Sequence, residues 1–433
     1  MLVLGMTNFQ QHNHKWYAER VSLNAIAEAI GTPCYVYSRA ALEQQWHAFN
    51  NPFQNQAHQI NYAVKANSNL AILNILAQLG SGFDIVSEGE LRRVLKAGGH
   101  PEKIIFSGVG KTKIELKTAL EVGVGCINVE SKAELKRLND LAMLLHKKAT
   151  IAIRVNPDVD PKSHPYISTG LQENKFGINI TEALEFYQEA LTLPGIHIQG
   201  IAFHIGSQIT TLSPFLEALD KILALVEKLK SLGITVTHLN VGGGLGVRYQ
   251  NETPPEPKEY VAAILKAIQT MQKNEEISGS DLIIHIEPGR AIAADAGVLL
   301  TRVEYIKTQG SLKSFAIVDA AMNDLLRPAL YNAWQEIISL STKTNPAIPA
   351  RTYDIVGPVC ETADFLGKDR VLSLEAGDLL MVRSAGAYGF SMSSNYNSRP
   401  RAAEIMVDGD RFQVVRPREN IQDLLGSETA LTP

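Results

Sequence analysis

Cysteine is scarce in this chain. Its 433 residues hold three, Cys34, Cys126 and Cys360. Their odd number and wide spacing exclude a disulfide framework and a CxxC metal site, so no metal is expected. A reducing, cytoplasmic compartment is the simplest expectation. Net charge is nearly absent as well: Lys+Arg is 41 against Asp+Glu 45, a balance of -4. That excludes a strongly basic, electrostatically driven nucleic-acid binder. Hydrophobic residues at 45% exclude disorder. Long apolar runs are missing, so no membrane span is expected. The segment Met1–Tyr17 has no basic head and reads as no signal peptide. Repeats and low-complexity tracts are absent, and the Pro-rich Asn251–Lys258 is too short for an interdomain linker.

What the chain does have is a long series of short apolar runs. Its length suits about two domains, given that a barrel of roughly 250 residues often counts as one. Eight runs read as strands: Gln59–Val64, Phe83–Val86, Ile104–Phe106, Cys126–Val129, Thr150–Val155, His197–His204, Val236–Val241 and Ile283–Glu287. They are rich in Ile and Val and mostly lack alternation, as strands buried on both faces do. Helical-period segments separate them, at Leu70–Leu79, Ser87–Ala97, Lys113–Glu121, Ser131–His146, Thr181–Leu191, Ser213–Ser231 and Lys258–Lys273. Ser87 with Glu90, and Ser131 with Glu134, have capping-box spacing. The pattern predicts a (β/α)8 barrel, with a doubly wound sheet as the alternative. After Arg290 the pattern changes. Val298–Ile306, Ser314–Asp319, Tyr353–Gly357, Asp378–Arg383, Ala403–Val407 and Phe412–Val415 predict a second, mainly antiparallel β-domain. Cys34–Tyr37 is expected to join that sheet. The expected division is 41–290 for the barrel, and 1–40 with 291–433 for the β-domain.

Polar residues at the C-terminal ends of barrel strands line the active-site mouth. Here those ends carry Lys65, Asp84, Ser107, Glu130, Arg154, His204, Gly242–Gly244 and Glu287–Arg290. A lysine ending a buried strand is costly unless it opens into a cleft, where a lowered pKa makes the amine nucleophilic. Taken alone, Lys65 reads more often as a snorkelling side chain. The run Gly242-Gly243-Gly244-Leu245-Gly246 lets backbone N–H groups approach an anion, or else makes a tight turn. Gly108-Val109-Gly110-Lys111-Thr112 ends like a P-loop, but Ile105 stands where that motif needs glycine, so nucleotide binding is rejected there. Glu287-Pro288-Gly289-Arg290 sits where barrels often bind phosphate; the bland alternative is a surface turn with a salt bridge. His204 could stack on a planar cofactor with Ser207 donating to a phosphate, or be a satisfied core histidine. Together Lys65, Glu287 and the two glycine-bearing loops suit pyridoxal 5′-phosphate, which needs an amine, an acid at its ring nitrogen and a phosphate cradle.

On these residues the chain resembles the diaminopimelate decarboxylase family, within the fold-type III pyridoxal-phosphate enzymes, from about Gly31 to Glu404. The Lys65 segment, His204–Gln208, Gly242–Gly246 and Glu287–Arg290 match the wider decarboxylase group. His164-Pro165-Tyr166-Ile167-Ser168-Thr169-Gly170 through Asn174-Lys175-Phe176-Gly177, Arg327-Pro328-Ala329-Leu330-Tyr331 and Gly357-Pro358-Val359-Cys360-Glu361 match the diaminopimelate branch. The resemblance implies that Lys65 carries the cofactor as a Schiff base. It implies that His204 stacks on the ring and that Glu287 pairs with its nitrogen. Ser207, Gly244 and the Gly289–Arg290 backbone would hold the phosphate, with Asp84 and Arg154 as further cofactor-site candidates. Arg290, Arg327 and Tyr331 would bind a substrate carboxylate, Glu361 the distal ammonium, and Tyr388 both cofactor and substrate. Cys360 would be the proton donor. Cys360 and Glu361 would enter from the neighbouring subunit of a homodimer.

The chemistry is consistent with that assignment. A substrate with an amino-carboxylate at each end is complemented by Arg and Glu. An arginine on the departing carboxylate would stabilise the ground state, so Arg290 and Arg327 should hold the one that stays. Local sequence alone also allows a surface salt bridge from Arg327 to Asp324 and an inert buried Cys360. Two rival functions are a decarboxylase of ornithine, arginine or a carboxylated polyamine, and a non-catalytic cofactor carrier. The Arg327–Tyr331 segment speaks against the first, and the region after Arg290 against the second.

Overall fold

The computed structural model describes residues 8–161, 164–167, 169–171, 173–274, 282–309, 313–341 and 348–431. Ser168, in the branch-specific segment, lies outside the described residues. Backbone contacts divide the chain into two units, Glu43–Arg248 with Glu252–Ile292, and Met1–Leu42 with Tyr249–Asn251 and Ala293–Pro433.

The first unit is a closed parallel barrel. Its strands are His58–Ala63, Gly82–Ile85, Ile104–Phe106, Cys126–Val129, Ala149–Asn156, Ile196–Ala202, His238–Asn240 and Ile283–Ile286. Each pairs in parallel with the next, and the last pairs with the first through Ile284 and His58, His285 and Gln59, and Ile286 and Ile60. All eight predicted runs are strands. A two-residue strand, Ile178–Asn179, adds to the outside of the fifth. The strands lack alternation because both faces are buried: the consecutive residues Ile60-Asn61-Tyr62, Phe83-Asp84-Ile85, Ile104-Ile105-Phe106 and Ile151-Ala152-Ile153 are all almost fully covered.

The helices lie between these strands, as their apolar spacing requires. Ser87 and Ser131 do cap their helices, accepting from the amides of Glu90 and Glu134 at 3.2 Å each. The reciprocal half differs from expectation. The Glu90 and Glu134 carboxylates accept from the amides of Val86 (2.7 Å) and Glu130 (2.9 Å), one residue before the cap. The extended caps, at φ -156° and -160°, turn their own amides away and leave the preceding ones in reach. Both reciprocal bonds of the motif form instead between Thr112 and Glu115. Next to it, the rejected P-loop lysine has a structural partner. Lys111 Nζ meets Glu134 Oε1 at 2.7 Å, with side chains 1% and 8% exposed, and also donates to the carbonyls of Gly108 and Asn128.

The second unit is a mixed sheet with a small three-stranded antiparallel sheet beside it in the chain order. Cys34–Ser38 runs antiparallel to Gly297–Gln309 and parallel to Ala403–Asp408, so both ends of the chain share one sheet. Lys313–Val318 pairs in parallel with Arg351–Val356, and the remaining neighbours are antiparallel. The small sheet of Phe9–His12, Lys15–Ala18 and Val21–Ser22 escaped the sequence reading, as did two strands of the large sheet, Ile337–Ser339 and Phe365–Leu372. Ile337–Ser339 is short. In Phe365–Leu372, Gly367-Lys368-Asp369-Arg370 interrupts the apolar pattern, and a register shift occurs there. The core joins Phe9, Leu23, Ile26, Val36, Val298, Leu300, Met381, Ile405 and Val407. Among the described residues, no helix is long and apolar enough to cross a membrane.

Removing one partner of a buried ion pair strands the other's charge, at a cost of about 3–5 kcal/mol, whereas replacing both with apolar groups is far milder. Glu134→Ala should therefore lower the denaturation midpoint more than the double change Lys111→Met with Glu134→Leu. Equal losses, measured by urea unfolding, would show that the pair does not hold the loops after strands three and four.

Candidate functional site

The seam between strands eight and one builds the centre of the site. Past the last ladder pair, the amide of Ala63 still donates to the carbonyl of Pro288 at 3.2 Å. At the next residue the chain enters a single 3-10 turn, Val64–Ala66, rather than continuing the strand. That turn lifts Lys65 to the rim, 41% exposed along its side chain, while Val64 and Ala66 stay buried. Gly289 permits this packing, since a Cβ there would stand 2.9 Å from the Ala63 Cβ and 3.0 Å from that of Ala66.

Lys65 Nζ donates to Asp84 Oδ2 at 3.3 Å. Asp84 is the penultimate residue of the second strand and is 1% exposed, and its Oδ1 is buried with no hydrogen-bond partner. Glu90 lies close enough to feel both charges. Burial first, then the nearby Asp84, push its carboxyl up to about 7 against the pull of the Val86 amide and Lys65. Glu287 is buried, and Asn240 Nδ2 donates to its Oε1 at 2.6 Å. Burial, then repulsion from Asp84, push Glu287 up to about 8, opposed by Lys65, the Asn240 bond and Arg154.

His204 follows the sixth strand. The Gly243 amide donates to its Nδ1 at 3.2 Å, which fixes Nε2 as the protonated nitrogen of a neutral ring. Burial and the charges of Lys65 and Arg154 hold its pKa well below the usual histidine value. Gly243 also presses on strand eight, where a Cβ would stand 2.1 Å from the carbonyl oxygen of Glu287. At Gly244, φ is +112° and a Cβ would stand 2.3 Å from the Gly206 carbonyl oxygen. The glycine run is thus a tight turn by necessity, and the same tightness brings it against the Gly206–Ser207 loop. Ser207 Oγ accepts from Arg290 Nη2 at 3.0 Å and Nε at 3.3 Å. Arg290 is buried, so the bland reading of a surface turn fails.

Arg154 is held from the far side. Its Nη1 donates to Glu130 Oε1 at 3.1 Å, and its guanidinium lies 4.9 Å from the centre of the Phe176 ring. Glu130 also accepts from the amides of Gly108 and Gly177, tying the loops after strands three and five to this pair. Ser107 is buried and accepts from Asn128 Nδ2 at 3.0 Å, which makes it a structural residue of the strand end.

The other candidates belong to the second unit. Arg327 opens the short helix Arg327–Tyr331 and is 5% exposed. It is not a surface salt bridge to Asp324. Its guanidinium lies 4.5 Å from the Tyr249 ring centre, and its Nη1 donates to the Tyr249 hydroxyl at 2.5 Å. The cation facing Asp324 is Arg399, at 3.8 Å. Tyr331 is half-buried at the end of the same helix. Cys360 and Glu361 are exposed in the single chain, so Cys360 is not a buried thiol. Their loop is organised by Asp364, whose carboxylate accepts from the amides of Val359 and Met322. The next two contacts come from one dipeptide: Asn397 Oδ1 accepts from the Cys360 amide at 2.9 Å, and the Tyr396 hydroxyl donates to Glu361 Oε1 at 2.5 Å. Tyr388 is half-buried at φ +55°, just after the close turn at Gly386.

Residues 39–294 match the family described as pyridoxal-dependent decarboxylase, pyridoxal binding domain. The diaminopimelate decarboxylase of Vibrio cholerae is 57% identical over 98% of this chain and 99% of its own. The chain belongs to the diaminopimelate decarboxylase family. Among solved structures, the M. jannaschii diaminopimelate decarboxylase in complex with L-lysine aligns with a TM-score of 0.93 at 35% identity, covering 99% of both chains. The Helicobacter pylori diaminopimelate decarboxylase complexed with L-lysine aligns at 0.87 and 43% identity, covering 93% of this chain and 98% of that one. Pyridoxal phosphate fits the first unit on its own terms. The site offers a rim amine, an acid with an unpaired buried oxygen, a second buried carboxyl, and a hydroxyl and guanidinium beside a glycine turn.

Within a family of pyridoxal enzymes, Glu90, Asn240, Tyr249, Tyr396 and Asn397 are the neighbours that the sequence reading passed over. Glu90 had appeared only as a helix-capping residue.

Because folding raises the Glu287 pKa above its unfolded value, its proton is bound more tightly in the folded state. Its stabilising contribution is complete below about pH 4.5 and is lost as pH rises to about 8. In cofactor-stripped protein, Glu287→Gln should gain stability relative to the parent between pH 5 and 8. A difference in melting temperature that stays flat across that range would contradict the buried, protonated carboxyl.

Proposed function

We propose that this chain decarboxylates meso-2,6-diaminopimelate to L-lysine and CO2, using pyridoxal 5′-phosphate, as the last step of lysine biosynthesis. The observation that carries the reading is the seam geometry, where the Lys65 amine stands 3.3 Å from buried Asp84 with Glu287 close by. The cofactor supplies an electron-accepting ring for the pair left on Cα when CO2 departs. The protein's residues do the rest. Lys65 is the attaching amine, and the Asp84 carboxylate keeps positive charge favourable at that nitrogen. Neutral His204 would pack on one face of the ring. Buried Glu287 would face the ring nitrogen, and a cationic nitrogen there would draw the carboxyl's own pKa back down, leaving a carboxylate that keeps the ring protonated. Ser207, Gly244, Gly289 and Arg290 would hold the phosphate, with Arg154 steadied by Glu130 as a further cofactor-site residue.

In the same reading Arg290, Arg327 and Tyr331 clamp the carboxylate that stays, and Glu361 receives the distal ammonium. The carboxylate that leaves has no cation on it, so its ground state is not stabilised. Cys360 donates the proton that replaces CO2 on Cα, and Tyr388 orients substrate and cofactor. Residues 41–290 supply the cofactor domain, and 1–40 with 291–433 complete the active site and the dimer interface. Exposure of Cys360 and Glu361 in the single chain supports their service to a neighbouring subunit in a homodimer. A free thiol at Cys360 suits a reducing, cytoplasmic setting.

Purified protein should release CO2 and L-lysine from meso-diaminopimelate and turn over ornithine or arginine at least about a hundredfold more slowly, because those substrates lack the second carboxylate that the arginines are placed to bind. Equal turnover would overturn the substrate assignment. Lys65→Ala and Cys360→Ala chains, each inactive alone, should regain up to about a quarter of parental activity when mixed, since random pairing makes half the dimers mixed, each with one intact site. Proven heterodimers with no regained activity would sink the shared site.

A further inference from the structure

We infer that Tyr249 is a positioning residue, which holds the Arg327 guanidinium in the orientation that receives the retained substrate carboxylate. The inference rests on the functional reading above and adds a residue that reading does not contain.

Three observations support it. Tyr249 and Arg327 are 8% and 5% exposed, so their contact is shielded from water. The guanidinium lies 4.5 Å from the ring centre while Nη1 donates to the hydroxyl at 2.5 Å. One tyrosine thus restrains the plane of the fork by stacking and its rotation by a hydrogen bond. Finally, the three residues Tyr249–Asn251 group with the second unit although the chain on both sides belongs to the barrel. The Arg327 contact is a local reason for that grouping.

The chain before Tyr249 is itself fixed. The Gly246 amide donates to the carbonyl of Ile209, and the Gln208 side chain makes two bonds to Val247, its Nε2 donating to the carbonyl at 2.6 Å and its Oε1 accepting from the amide at 3.1 Å. Tyr249 follows two residues after Val247 in the chain. A planar fork binds a carboxylate through two parallel bonds only when its plane is set in advance. A tyrosine at this position does that without adding a charge that would compete for the carboxylate.

The test compares two ligands on cofactor-loaded protein, L-lysine and cadaverine, which is L-lysine without its carboxylate. Binding is read by titration of the cofactor absorbance, and KM and kcat for meso-diaminopimelate are measured beside it. Tyr249→Phe keeps the ring and loses the hydroxyl. It should weaken L-lysine binding and raise KM by about three- to tenfold, with kcat within twofold and cadaverine binding unchanged. Tyr249→Leu loses both restraints and should weaken L-lysine binding further, with cofactor content equal to that of the parent. Combining Tyr249→Phe with Arg327→Ala should cost no more than Arg327→Ala alone, because the tyrosine acts through the arginine. Equal effects on both ligands, no effect on either, or full additivity would overturn the positioning role while leaving the decarboxylase reading intact. Parent protein that bound neither ligand and did not turn over diaminopimelate would overturn both.

Discussion

The pairing of the last barrel strand with the first is the constraint on which the site depends. Three ladder pairs and one further bond, from the Ala63 amide to the Pro288 carbonyl, bring the Glu287–Arg290 turn beside Lys65. Once closed, the barrel leaves little room at its rim. Lys65 must turn out, Gly289 must lack a side chain, and Gly243 must press against the Glu287 backbone. The charges follow from the crowding. Two carboxyls, Asp84 and Glu287, share a region poor in water, and burial with mutual repulsion leaves Glu287 protonated to about pH 8. Such a group answers to the charge of whatever sits beside it, as a residue facing a ring nitrogen must.

A second rule runs through the molecule: each residue placed for chemistry is held by a neighbour placed for geometry. Asn240 holds Glu287, Glu130 holds Arg154, the Gly243 amide sets the tautomer of His204, and Asp364 shapes the loop that carries Cys360 and Glu361. These supports are backbone amides, side-chain amides and carboxylates, whose bonds are directional and short. They restrict rotamers that a substrate would otherwise have to order for itself.

Much of this was legible beforehand, and the reasons for the gaps are physical. Strands buried on both faces announce themselves as unbroken Ile and Val runs, so all eight barrel strands were readable. Phe365–Leu372 was not, because Gly367–Arg370 breaks its pattern. The glutamates of the Ser87 and Ser131 caps were expected to bond the cap amide itself. They reach the preceding amide instead, because an extended cap points its own amide elsewhere. The resemblance of Lys111 to a P-loop lysine had no mechanism behind it. Its burial against Glu134 explains why a lysine stands there.

By itself the amino-acid sequence determined the barrel, the added β-sheet and the residue types at each strand end, since periodicity and composition act locally. It also carried the family through motifs that survive in order along the chain. What only the tertiary structure decided is which groups touch. Lys65 with Asp84, Glu287 with Asn240, and Arg327 with Tyr249 are pairs distant in sequence, joined by barrel closure in one unit and by a short borrowed segment in the other. The scarcity of cysteine takes its meaning there as well. Spacing excluded disulfides, but only the fold showed Cys34 buried in the sheet core and Cys360 exposed beside Glu361. Burial and exposure are properties of packing, which no local pattern encodes.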